Sequence, residues 1–234
     1  MREYNEIDDI INLGLRYPKS EFAIQAHPTK FSGNMPRYIW FDTLMNAAKD
    51  KPINLAMHIN AEYRNQICRG IIPQNVLRMW NMCNNDNTPI IKRVQINING
   101  GNQSSVFYSR HLADIIRSFP NIEFIFQYAP KQRRRIQHLD NRDVKVSLLY
   151  DESGGRGEAP RVWREPAFEN HKMGYSGGFG PDNVTTNLYI MNRLLPKNYT
   201  TWIDAEGKLR NPDTKQFDCA RAEQYIKNAL AWQK

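Results

Sequence analysis

From residue 20 onward the chain alternates short runs of apolar and β-branched residues with stretches whose apolar positions recur every three to four residues. The first kind predicts strands over 21–26, 53–59, 91–98, 121–127, 144–150, 171–175 and 199–204. The second predicts helices over about 38–49, 61–83, 105–118, 130–139, 181–195 and 217–232. Ahead of them, Ile7, Ile10, Ile11, Leu13 and Leu15 cluster on one side of a helix that Pro18 ends, and no apolar strand comes before it. Turn-rich connections, NNDNTP at 84–89 and NGGNQSS at 99–105, join the runs; in the second, Ser104 or Ser105 caps the helix that follows. A short element is expected around Trp163. Strands alternating with helices, with no linker that would divide them, predict an α/β fold with a parallel sheet, in one domain spanning 1–234.

Composition narrows this picture. The length of 234 residues suits a single compact domain with a sizeable core. With a mean hydropathy of -0.67, no run of eighteen apolar residues and no leader-like start, the chain is expected to be cytoplasmic, with no membrane partner. Cys68, Cys83 and Cys219 have neither disulfide-framework nor zinc spacing and read as reduced and structural. The net charge of +8 favours an anionic partner without identifying it. Its densest run, KQRRR at 131–135, reads as the solvated face of a helix. Recognition of nucleic acid would want basic residues interleaved with exposed aromatics, or a reading module, and neither is present.

The last third of the chain carries the most chemistry. Three strand-like runs each open into a polar loop with glycine: Asp151 precedes Gly154, Gly155 and Gly157; Ser176, Gly177 and Gly178 precede Pro181, Asp182, Asn183 and Val184; and Ile203 and Asp204 precede Gly207. Glycine lets backbone approach a ligand closely. In spacing and order these runs resemble the sixth, seventh and eighth strands of the phosphoribosylanthranilate isomerase family, with Trp163 beyond the first loop. EFAIQAHPTKFSGNMPRYI at 21–39 resembles that family's second strand and the loop after it, with Arg37 in the place of an arginine that faces the substrate's aromatic acid. The resemblance runs from about residue 20 to the end. It implies a TIM-type (β/α)8-like barrel whose first strand is degenerate or missing, leaving seven clear strands.

That missing strand matters, because in the family it bears the cysteine that acts as general base. No cysteine lies near the first helix here, and Met1 to Tyr4 would make a poor substitute strand. The resemblance further implies that Asp151 stands where the general acid stands, and that the backbone of Ser176, Gly177 and Gly178 holds a phosphate, aided by the helix that starts near Pro181. Ala205 and Glu206 depart from the small hydroxyl residues expected in the eighth loop. A carboxylate there repels phosphate unless Lys208 or Arg210 offsets it.

In such a barrel ligands sit at the carboxyl ends of the strands. The residues there are His27, His58 with Asn60, Gln95 with Asn97, Gln127, Asp151, Tyr175 with Ser176, and Asp204 with Glu206 and Gly207. The period of two in His58/Asn60 and Gln95/Asn97 puts both members of each pair on one face. His27 and His58 are the candidate bases, Asp151 the candidate acid, and Arg37 and Arg156 reach for an anion. Gly177 is expected to tolerate Val in the fold but not in ligand binding. No metal or cofactor is implied, and self-association stays open. Two functions follow: a barrel that binds a small phosphoribosyl or nucleotide-like anion without the parental reaction, or an isomerase or lyase on a phosphoribosyl-type compound.

Overall fold

The computed structural model describes residues 2–26, 38–98, 105–153 and 156–232. His27, Arg37, Gly154 and Gly155 lie outside the described residues. Seven strands are present among them: β1 (Glu21–Ala26), β2 (Asn54–Ile59), β3 (Ile91–Ile96), β4 (Glu123–Tyr128), β5 (Ser147–Tyr150), β6 (Met173–Ser176) and β7 (Ile203–Asp204). They hydrogen-bond in sequence order. The pairs β1–β2, β2–β3, β3–β4, β5–β6 and β6–β7 are parallel. The helices are α1 (Arg2–Arg16), α2 (Tyr38–Ala48), α3 (Ala61–Cys68), α4 (Gln74–Trp80), α5 (Ser105–Ser118), α6 (Arg133–Asp140), α7 (Val184–Leu194) and α8 (Cys219–Ala231). Residues 2–4, a candidate substitute strand, are the first turn of α1.

The region expected as one helix over 61–83 is two. Gly70 closes α3 with φ +85°, a conformation glycine adopts without strain, and Pro73 immediately precedes α4. No helix or strand forms around Trp163. Asp218 caps α8 by accepting the Arg221 N–H at 3.0 Å.

The chain groups into two compact units, Met1–Phe126 with Pro130–Val146, and Gln127–Ala129 with Ser147–Lys234. In the first unit the strands alternate faces as the sequence does. Ile24, Ala26, Leu55, Met57, Ile59, Val94, Ile96, Phe124 and Phe126 are buried on one face. Beside them Trp80 is fully buried, edge-on to Phe119 at 5.1 Å and Phe124 at 5.6 Å, contacts worth about 0.5–1.5 kcal/mol each beyond their area. The opposite face carries polar groups beside the buried Ala56 and Ile125. Register aligns Arg93 with Glu123, and Gln25, His58 and Gln95 in one row. Arg93 bonds Glu21 at 3.0 Å and lies 3.5 Å from Glu123. Ala23, between Glu21 and Gln25 on this face, is exposed. The barrel interiors expected of this architecture are filled mainly by branched apolar side chains. Here ionic and amide groups share those positions with Ala56 and Ile125.

Candidate functional site

In the second unit the strand ends converge on Asp151. Its backbone N–H extends the ladder to the Tyr128 carbonyl at 2.9 Å, which fixes the side chain just beyond β5. The carboxylate is buried, and both oxygens accept hydrogen bonds: Gln127 Nε2, from the end of β4, donates to Oδ2, and Ser153 Oγ donates to Oδ1 at 2.7 Å. Ser153 in turn accepts the Arg156 N–H at 3.1 Å, which ties down the start of the loop. Both oxygens of Asp151 are thus already engaged as acceptors within the chain. Ser153, missed in the sequence, was signalled only by standing two residues after an aspartate, a local pattern common in turns.

The segment after Asp151 folds over the next strand end. Trp163 is buried, stacked on Phe179 with centroids 5.2 Å apart and edge-on to Tyr175 at 6.1 Å. Tyr175 is fully buried and donates its hydroxyl to the Arg164 carbonyl at 2.9 Å. Burial pushes its ionisation well above the ordinary tyrosine range. Gly177 has φ +149° and Gly178 φ +63°. A Cβ on Gly177 would lie 2.8 Å from Pro160 Cδ and 3.3 Å from the Glu158 carbonyl, and one on Gly178 would lie 2.5 Å from the Gly157 carbonyl. Both glycines are therefore demanded by the chain's own 157–163 segment. The expectation that valine at 177 leaves the fold intact is corrected by this contact and by the backbone angle.

Other groups at this end are held as follows. Ser176 Oγ donates to the Tyr150 carbonyl at 3.2 Å. Asn183, just before α7, accepts the Gly180 N–H at 2.8 Å and donates to the Gly178 carbonyl at 2.9 Å, closing the loop into a ring of hydrogen bonds. Among the described residues, the N–H group of half-buried Gly178 donates no hydrogen bond. Asp204 is aligned with Ser176 and sits close enough to Tyr225 to add to the upward push that burial gives that hydroxyl. Glu206 is paired with Arg210, which offsets its charge, and space around Gly207 is open. Arg156 is exposed, 3.4 Å from Glu158.

In the first unit, His58 Nε2 and Gln95 Nε2 are 3.2 Å apart, both half-buried. Gln25, aligned with His58, joins them and was missed because it precedes the end of its strand. Asn60 is the residue before α3, its N–H 3.4 Å from the Ala26 carbonyl, and Asn97 follows β3 half-buried. None of the three cysteines is on a strand: Cys68 ends α3, Cys83 lies in the turn after α4 and Cys219 opens α8. Among the described residues, no three His, Cys, Asp or Glu side chains are grouped to hold a metal ion, and no helix is long and apolar enough to cross a membrane.

No family model matches the sequence, and no curated protein matches it. The fold is nonetheless similar to solved structures. TrpF from Jonesia denitrificans has 13% identity, covering 95% of this chain and 92% of its own, with a TM-score of 0.59. N-(5'-phosphoribosyl)anthranilate isomerase from Pyrococcus furiosus has 8% identity, covering 95% of this chain and 94% of its own, with a TM-score of 0.56. The chain therefore has a (β/α) barrel fold of the phosphoribosylanthranilate isomerase type, with seven strands among its described residues.

Proposed function

We propose that this (β/α) barrel binds a small phosphorylated or nucleotide-like anion at the backbone of Gly177 and Gly178, and does not catalyse the isomerisation of phosphoribosylanthranilate. The observation that carries this reading is the undonated N–H group of Gly178. Backbone donors shielded from water are almost always paired, so a half-buried donor left over beside the start of an eleven-residue helix is open to an acceptor from outside the chain. The nearby helix N-terminus adds a partial positive charge. The pairing of Glu206 with Arg210 removes the repulsion that an unpaired carboxylate would exert.

The absence of catalysis rests on two further points. No cysteine occupies a described strand or its carboxyl end, and both oxygens of Asp151 are engaged by Gln127 and Ser153 rather than left open to a substrate. The test has two arms. Native mass spectrometry should find a phosphorylated small molecule carried by the purified protein, and calorimetry should show binding of ribose 5-phosphate. A host lacking the isomerase should not grow when given this gene. Robust growth would refute the catalytic half; a phosphate-free occupant, with no binding of ribose 5-phosphate, would refute the binding half.

A further inference from the structure

The excess positive charge of this chain is concentrated on one set of adjoining helices. Residues 61–70, 105–118 and 130–146, which contain α3, α5 and α6, hold ten basic and four acidic residues, a net of +6 of the chain's +8. The fold brings these segments together. A Cβ on Gly70, at the end of α3, would touch the His111 ring of α5 at 2.8 Å. Arg142, just after α6, donates through Nε to Ser109 Oγ of α5 at 3.2 Å. Arg117 of α5 donates to the Arg142 carbonyl.

Several of these cations are not used by the fold. Arg69, Arg110, Lys131, Arg134 and Lys145 are exposed, and among the described residues none of their side chains forms an ion pair or hydrogen bond. Arg134 also borders a depression with Gln137, His138, Asp140 and Asn141. Eight of the ten basic residues are arginine, whose planar fork fits phosphate oxygens in pairs. Among the described side chains of the three helices no large apolar group is exposed to insert into a bilayer, and no exposed aromatic ring offers a stacking platform for unpaired bases. What remains is a surface suited to regularly spaced phosphates.

We propose that the α3–α5–α6 face binds the phosphate backbone of duplex nucleic acid without reading its sequence. Backbone contact needs neither a reading module nor interleaved aromatics, whose absence argued against nucleic acid in the sequence. The face belongs to the first unit, and the proposal is independent of the anion site at Gly177.

Anisotropy of a labelled 20-base-pair duplex of arbitrary sequence, titrated with the full-length protein at several salt concentrations, tests it. About four or five phosphate contacts should make binding roughly a hundred- to five-hundred-fold weaker between 50 and 200 mM salt. The triple variant R69E/R110E/R134E should bind at least about tenfold more weakly at low salt, with a shallower salt dependence and an unchanged melting temperature. Because its three side chains are exposed and unpaired, it should fold normally. K49E/K172E/K197E, with the same change in net charge on exposed lysines elsewhere, should bind as the wild type does. Equal binding by wild type and the R69E/R110E/R134E variant, equal loss in both triple variants, or preference for anionic phosphatidylserine vesicles over the duplex would overturn the proposal.

Discussion

Glu21 carries a carboxyl group into a place where burial opposes its charge more than its arginine partner supports it. Burial raises its pKa above the ordinary 4.5, and Arg93, by charge and hydrogen bond, pulls only part of the way back. A raised carboxyl pKa means that the folded state binds the proton more tightly than the unfolded state. The stability contributed by Glu21 is then present in full below pH 4.5 and is lost as pH rises through the elevated value. In Glu21→Gln that loss disappears, while Arg93 keeps Glu123. The variant should therefore gain on the wild type in urea-unfolding free energy as pH is raised from 4.5 to 7, and a difference independent of pH would show the argument wrong. Nothing in the sequence announced this cluster. Its members stand on three separate strands, and only register brings Arg93 against Glu123.

At the level of elements, β7 is the extreme case: two residues, Ile203 and Asp204, where the apolar pattern had suggested six. Its attachment depends on the residue before it. The Trp202 carbonyl accepts the Tyr175 N–H at 2.9 Å, and its indole lies against Gly174 of β6, where any Cβ would collide with the ring. Gly174→Ala should displace the indole and cost about 1–3 kcal/mol, as overpacking does in tight cores. Urea unfolding followed by tryptophan fluorescence would show both the lowered midpoint and a shifted native emission; an unchanged midpoint would mean that Trp202 contributes little to β7. Helices and strands were legible where periodicity extended over many residues, as in α1, α5 and α8. Boundaries were not, because hydrogen bonding and capping, at Gly70, Pro73 and Asn183, decide where an element stops.

For the whole molecule, the order of strands and the glycine loops were legible because each is local in sequence. The purpose of the glycines was not. Whether a missing Cβ makes room for a ligand or for the chain itself is settled by the 157–163 segment, which no spacing rule places over Gly177 and Gly178. A readout of global integrity is available in the thiols. Burial pushes Cys68 up to about 11, whereas Cys83 and Cys219 are only half-buried. At pH 8 roughly one Cys68 in a thousand is thiolate, so a thiol reagent should label two cysteines quickly and Cys68 only when the first unit opens. Three thiols labelled at the same rate in native buffer would contradict the burial.

The polar sheet face of the first unit has an evolutionary corollary. Its cohesion comes from the opposite, apolar layer, where Leu55, Met57, Val94 and Phe124 are packed. Positions such as Gln25 and Gln95 can thus drift through alternative hydrogen-bonding residues at little energetic risk, since half-exposed polar sites tolerate exchange far better than filled cores. A lineage built this way can change what it recognises before it has to repair how it folds.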